Sequence, residues 1–389
     1  MNAKDMLDAI FQFRTDTPIP AWEFGYWCDT LHRWYGEGLP KIHPPERGNA
    51  GGAQFLSADV CAYNSSFSGE VINDVSAFFG LTERIHAVPI NSAMVPAFDQ
   101  LVLSEDAENI TYRRGDGKTV KARRDGSSMP MFMEYPVRPE SARRDFEAFA
   151  ARFDADAPER YIAPIEDYIK FYENRSFPLQ LGGGNYCGFY SVLRECLGVE
   201  ETAYLLYDDP ELVDEMLTFF TDFYIRLFTG FAQHVQVDYF LIWEDMCFKN
   251  GPLISPSIFR SVFLPHYKRF IGEMKKHGVS RFMLDTDGNC ELLIPDFLDA
   301  GVTAIYPFEV AAGMDIEDIR AKFPELVIIG GIDKRALAAG PAEIDAVVRK
   351  AARMLEKGGY LPCVDHAVSP DVSFSNYCYF RQEMQKIIK

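Results

Sequence analysis

The sequence predicts an α/β fold, a (β/α)8 barrel carrying an N-terminal extension and a β-hairpin excursion. Two observations predict it. The second half repeats one grammar, in which a short β-rich apolar run ends in an acid or a glycine and an amphipathic helical stretch follows. Six such units fall within about 210 residues, and strands separated by helices of this length imply parallel βαβ connections. A closed barrel of roughly 250 residues accommodates them. An open dinucleotide-binding sheet is disfavoured, because no Gly-x-Gly-x-x-Gly opens a helix after the first strand.

The units are read in order. Pro178-Leu179-Gln180-Leu181 precedes the triple glycine 182–184. Tyr239-Phe240-Leu241-Ile242-Trp243 runs into Glu244-Asp245, and Arg281-Phe282-Met283-Leu284 into Asp285-Thr286-Asp287-Gly288. Ala304-Ile305-Tyr306-Pro307-Phe308 runs into Glu309, Leu326-Val327-Ile328-Ile329 into Gly330-Gly331-Ile332-Asp333, and Tyr360-Leu361-Pro362-Cys363-Val364 into Asp365-His366. Residues 209–235 read as one long helix, opened by Asp-Asp-Pro-Glu with an N-cap acid and proline in the first turn. Ser255-Pro256 opens another, and 291–300, 315–323 and 341–357 complete the alternation.

Residues 1–175 are less regular than 176–389, and the whole of 1–389 is read as a single barrel domain. Residues 20–27 read as an early strand leading into an aromatic helix around Leu31 and Trp34. Within 99–136, Ile110–Arg113 and Thr119–Ala122 alternate around Gly115-Asp116-Gly117, a hairpin signature.

Composition removes several function classes. The 389 residues carry a formal net charge of −18 and no clustered basic stripe, which excludes nucleic-acid and anionic-membrane binding. No apolar run approaches the ~20 residues of a membrane span, and the N-terminus reads as an amphipathic helix, unlike a signal segment. The eight cysteines are scattered, with no Cys-x-x-Cys pair, which suits reduced thiols and a cytoplasmic location. No nucleotide cofactor is expected.

In a parallel barrel whatever follows each strand gathers on one face. That face would collect Glu244, Asp245, Asp285, Asp287, Glu309, Asp333, Asp365 and His366. Any single acid after a strand is more simply a cap of the next helix. The set is harder to explain in that way, because converging carboxylates repel one another unless a cation, a shared proton or a positively charged substrate compensates them.

Asp285-x-Asp287 is the sharpest local pattern, since alternate residues leaving a strand point the same way. A metal held by Asp285, Asp287 and His366 and a metal-free acid/base pair both remain open. Gly182–Gly184 followed by Tyr186 permits close backbone approach to a ligand, and Trp22, Trp27, Trp34, Tyr186 and Trp243 are candidates for a pocket wall, though core packing explains each taken singly.

From about Leu179 onward the chain resembles the uroporphyrinogen decarboxylase superfamily, which includes cobalamin-dependent coenzyme M methyltransferases. The resemblance lies in Gly198-Val199-Glu200 with Asp209-Pro210-Glu211-Leu212, in Ser255-Pro256 with Phe259, Pro265 and Tyr267, and in the closing stretch Asp365 to Val372 with Asn376. It implies the barrel, and often a homodimer. The decarboxylases carry an N-terminal motif whose arginines clamp substrate carboxylates; Trp22-Glu23-Phe24-Gly25-Tyr26-Trp27-Cys28 stands there without one. The methyltransferase branch binds zinc through His-x-Cys and a closing Cys, which fall here on Asp285-x-Asp287 and His366.

The resemblance therefore implies an enzyme acting on a small molecule. Methyl transfer linked to a corrinoid protein, with methylcobalamin on that partner, is the leading expectation. Its catalytic residues are His366, Asp285 and Asp287, holding Zn2+ or a harder divalent metal. Glu244, Tyr306, Glu309, Asp333, Tyr186 and Trp22 are the expected substrate contacts. The alternatives are decarboxylation of a carboxylated substrate and a non-catalytic ligand-binding barrel.

Overall fold

The computed structural model describes residues 1–41, 55–57, 74–82, 85–124, 130–184 and 186–388. Seven strands form one parallel sheet: β2 (His86–Ala87), β3 (Leu179–Gly182), β4 (Tyr239–Trp243), β5 (Phe282–Asp285), β6 (Ala304–Tyr306), β7 (Val327–Ile329) and β8 (Tyr360–Leu361), each beside its neighbour in sequence. Sequential parallel order with helices between strands is the barrel grammar.

Residues 21–27, which include β1 (Gly25–Trp27), bond to the segments that precede β2 and follow β8. Ala21 exchanges hydrogen bonds with Thr82, its N–H donating to the Thr82 hydroxyl and its carbonyl accepting the Thr82 N–H. On the other side Tyr26 bridges Val368 in parallel, and Val364 N–H donates to the Glu23 carboxylate at 2.7 Å. The early strand expected over 20–27 is observed over Gly25–Trp27 alone, where it pairs antiparallel with Phe55–Ser57.

Strand alternation sorts the side chains into two cores. Phe240, Ile242, Phe282, Leu284, Ile305, Ile328 and Tyr360 point outward into the layer of helices. Tyr239, Leu241, Met283, Ala304, Tyr306, Val327, Ile329 and Leu361 fill the barrel lumen together with Trp22. The helix Ala3–Phe11 plugs the bottom through Ala3, Leu7 and Ile10, and the Asn2 side chain caps it by accepting the Asp5 N–H.

The helices follow their expected signals. Pro210–Ala232 begins with the Asp209 carboxylate accepting the Leu212 N–H and proline in its first turn. Ser255 caps the segment beginning at Pro256, which passes through a π-turn before continuing as Leu264–Lys276. Several helices went unread in the sequence, among them Ala142–Ala150, Ile165–Tyr172, Phe189–Leu197, Lys334–Ala339 and Phe374–Ile387. Among the described residues no helix is long and apolar enough to cross a membrane.

The excursion is larger than the expected hairpin. Leu101–Glu105, Asn109–Arg113, Thr119–Arg123 and Met131–Glu134 form a four-stranded antiparallel sheet. The two outer strands were missed because their residues are exposed along their whole length, so no apolar alternation marks them.

Candidate active site

The site lies where the strands end. Asp287, Glu309 and His366 leave β5, β6 and the segment after β8, and their ligand atoms lie within 4.8 Å of one another, each residue partly buried. His366 Nε2 stands 3.7 Å from Asp287 Oδ2. The Gly288 N–H donates to Glu309 Oε2 at 2.9 Å, which ties the β5 loop to the β6 loop. Lys334 Nζ, from the first residue of the helix after β7, stands 3.8 Å from Glu309 Oε1.

Behind this group sits Asp365, fully buried. Its Oδ2 accepts the Val310 N–H at 3.0 Å and its Oδ1 the Lys334 N–H at 3.1 Å. Burial pushes its carboxyl up to about 6, against the pull of the Lys334 charge and the two N–H groups.

Below the triad the lumen holds a cavity of about 60 Å³ lined by Trp22, Phe24, Tyr239, Met283, Tyr306 and Ile329, among others. Phe24 connects cavity and triad, since its ring also stacks on the His366 imidazole with centroids 4.9 Å apart. Among the described lining residues one carries a carboxyl, Glu23, and its side chain is fully buried. It is held by Val364 N–H, Phe24 N–H and the Tyr377 hydroxyl, with Arg381 at 3.9 Å.

The residues expected from the sequence separate into three groups. Asp287, His366 and Glu309 come together, with Glu309 joining the cluster where Asp285 was expected. Asp285 lies in register with Trp243 and Tyr306, on the same strand face as Met283, and is not one of the three clustered groups. Trp22 and Tyr306 line the cavity.

Glu244, Asp333 and Tyr186 depart from the expectation. The Glu244 carboxylate is buried and accepts hydrogen bonds from the N–H groups of Phe189, Tyr190 and Ser191 and from the hydroxyls of Ser191 and Tyr267. It caps the helix Phe189–Leu197 and has no oxygen left for a ligand. Burial pushes its pKa up, while those donors, Tyr267 first, hold it back. Asp333 caps Lys334–Ala339 and pairs with Arg335. Tyr186 is buried beside Phe153, away from the triad.

Within the triple glycine, Gly182 serves packing. A Cβ on Gly182, at φ +77°, would overlap the Phe240 ring. Sequence reasoning also missed Phe24 and Lys334, which touch the triad. Phe24 looked like one aromatic among many; Lys334 lay inside an unread helix.

A family model described as uroporphyrinogen decarboxylase (URO-D) matches residues 188–387, just over half of the sequence. The chain belongs to the URO-D family. Its match begins at the loop before Phe189 and covers β4 to β8, so Asp287, Glu309 and His366 all lie on the URO-D portion. Among solved structures, a methyltransferase from Methanosarcina mazei is similar over 100% of both chains, with a TM-score of 0.61 and 15% identity. That likeness supports the barrel fold of this URO-D member. A B12-independent methionine synthase from Shewanella sp. W3-18-1 aligns over 58% of this chain and 66% of its own, with 13% identity and a TM-score of 0.34. No curated protein matches the sequence.

Proposed function

We propose that this URO-D family member is a methyl-transfer enzyme. It takes a methyl group from a small methoxylated or N-methylated molecule and passes it to a corrinoid carried by a partner protein. Asp287, Glu309 and His366 hold a divalent metal ion at the barrel mouth. The observation that carries this reading is the meeting of three ligating side chains from three strand ends directly above an aromatic, apolar cavity.

The donor set fits a metal. Ligand bonds of about 2.0–2.1 Å in a tetrahedral site place donor atoms roughly 3.3 Å apart. The His366–Asp287 separation of 3.7 Å is close to that spacing, and the 4.8 Å bound on the triad exceeds it by about 1.5 Å. Two carboxylates balance a dication, which removes the repulsion an empty acid pair would suffer. Two oxygens and one imidazole nitrogen suit zinc acting as a Lewis acid, or a harder ion. Bound there, the ion would polarise the bond between the methyl group and its heteroatom.

The chain's own residues supply the rest. Trp22, Phe24, Tyr239 and Tyr306 line a space of about 60 Å³, which suits a small apolar group such as the methyl-bearing end of a substrate. Phe24 fixes the plane of His366. Lys334, at the rim, is placed to donate a proton to a departing oxygen or nitrogen. Among the described lining residues all but Glu23 are apolar, aromatic or a thiol, and its carboxyl is buried and internally bonded, a lining that favours an apolar body over a polycarboxylate such as a tetrapyrrole.

The test is incubation with methoxylated and N-methylated small molecules and free cob(I)alamin, following methylcobalamin by its absorption. Methyl-dependent conversion that vanishes in His366→Ala supports the reading. Release of carbon dioxide from a carboxylated tetrapyrrole, without methylcobalamin from any donor, would overturn it.

A further inference from the structure

Two buried carboxylates, Asp365 and Glu244, stand beside the barrel mouth, and they are bonded differently. Every acceptor site of Glu244 goes to the helix Phe189–Leu197 and to Tyr267, away from the triad. Asp365 instead joins three successive strand ends. Its own N–H donates to the Ile332 carbonyl at 2.8 Å, after β7. Its Oδ1 takes the N–H of Lys334, whose side chain faces Glu309, and its Oδ2 takes the N–H of Val310, the residue following Glu309. His366 follows Asp365 directly in the chain.

Val310 and Lys334 are the first residues of the short helices Val310–Ala312 and Lys334–Ala339, so Asp365 meets one helix-start donor of each, and it does so from a third strand end, which ordinary capping within one segment does not require. The helix Lys334–Ala339 has its own cap in Asp333, which accepts the Arg335 N–H at 2.9 Å. Asp365 adds a bond to the preceding N–H from a different strand end. Two acceptor oxygens are needed, one facing each N–H, in a space closed to water. An amide in their place would turn its NH2 group toward one of the two donors.

We propose that Asp365 is a positioning residue for the triad, the group that sets the spacing between Glu309 and His366 so that both reach the same ion. This rests on the metal-binding reading given above. A buried carboxylate linking the backbone on either side of two ligands acts on metal affinity in the way outer-shell partners do, where loss costs on the order of 10–100-fold.

The experiment is titration of metal-free protein with Co2+, followed by its visible absorption, in the unsubstituted protein, Asp365→Asn and Glu244→Gln. The expected result is a loss of Co2+ affinity of at least about tenfold in Asp365→Asn. Glu244→Gln is expected to bind Co2+ as the unsubstituted protein does, even where its melting temperature falls. Equal affinity in Asp365→Asn would overturn the proposal. Should the unsubstituted protein bind no Co2+, the metal reading itself fails, which is a separate outcome. A second measurement needs no variant: hydrogen exchange at the Val310 and Lys334 amides. Both are expected to be protected as strongly as the strand interiors, and exchange at loop-like rates would also refute the role.

Discussion

The Phe24 ring stacks on the His366 imidazole, with centroids 4.9 Å apart and planes inclined by 30°. This contact joins the two halves of the site, because Phe24 lines the apolar lumen and His366 belongs to the polar triad. It also joins distant parts of the chain, β1 and the segment after β8. An imidazole held on one face by an aromatic ring keeps its edge directed at Asp287, so a ligand that replaces the Asp287 contact finds the nitrogen already aimed.

Phe24→Ala removes that support. A stacked aromatic pair contributes about 0.5–1.5 kcal/mol beyond simple burial, so metal affinity should fall by roughly 2- to 10-fold. Calorimetric titration with Zn2+ checks it. Unchanged affinity in a folded Phe24→Ala protein would show that the ring does not orient His366.

Glu244 should behave as scaffold. Its removal strands five buried donor contacts, three from backbone N–H groups and two from hydroxyls. Glu244→Ala is expected to cost about 3–5 kcal/mol, read by urea unfolding. A cost below ~1 kcal/mol would mean that water or neighbouring groups replace the carboxylate.

Two glycines near the mouth predict opposite outcomes. Gly330 has φ +104°, and a Cβ there would overlap the Pro307 carbonyl oxygen. Gly330→Ala should therefore yield little folded protein. Gly184, at φ +82°, has open space around its Cβ position, so Gly184→Ala should cost only about 1 kcal/mol for the backbone conformation. Soluble expression and thermal melting of the pair decide it, and equal behaviour would contradict the packing described.

Acid should weaken the barrel through His86 in β2. Its imidazole stacks on Phe177 at 3.6 Å, and burial pushes its pKa down from 6.5 to about 4. The unfolded chain then takes up a proton at this residue before the folded one does. Its contribution to stability is complete above pH 6.5, falls as pH drops toward 4 and is level below that. Replacing His86 with Phe should flatten the unfolding midpoint across this window. An identical pH profile in the variant would remove His86 as the cause.

The barrel was legible because its lumen and its helix layer need opposite strand faces, so β4 to β8 each print an apolar run before an acid. The site was only partly legible. Asp287 and His366 follow strands and meet, but Glu309 and not Asp285 completes the cluster: Asp285 is still within β5, while Asp287 and Glu309 lie past their strand ends, and the bond from Gly288 N–H to Glu309 that ties the two loops is not written in any residue pattern. Glu244 and Asp365 both follow a strand as acids do elsewhere; only the donors around them show that one caps a helix and the other joins strand ends. Phe24 was hidden among aromatics whose partners lie over 300 residues away.

Equilibrium titration of metal-free protein with Zn2+ and Co2+ tests the central claim most directly. One ion should bind per chain, with a Co2+ spectrum free of thiolate charge-transfer bands, and Asp287→Ala, Glu309→Ala and His366→Ala should each abolish binding. A protein that binds neither ion, or that binds them equally well in all three variants, would contradict the account.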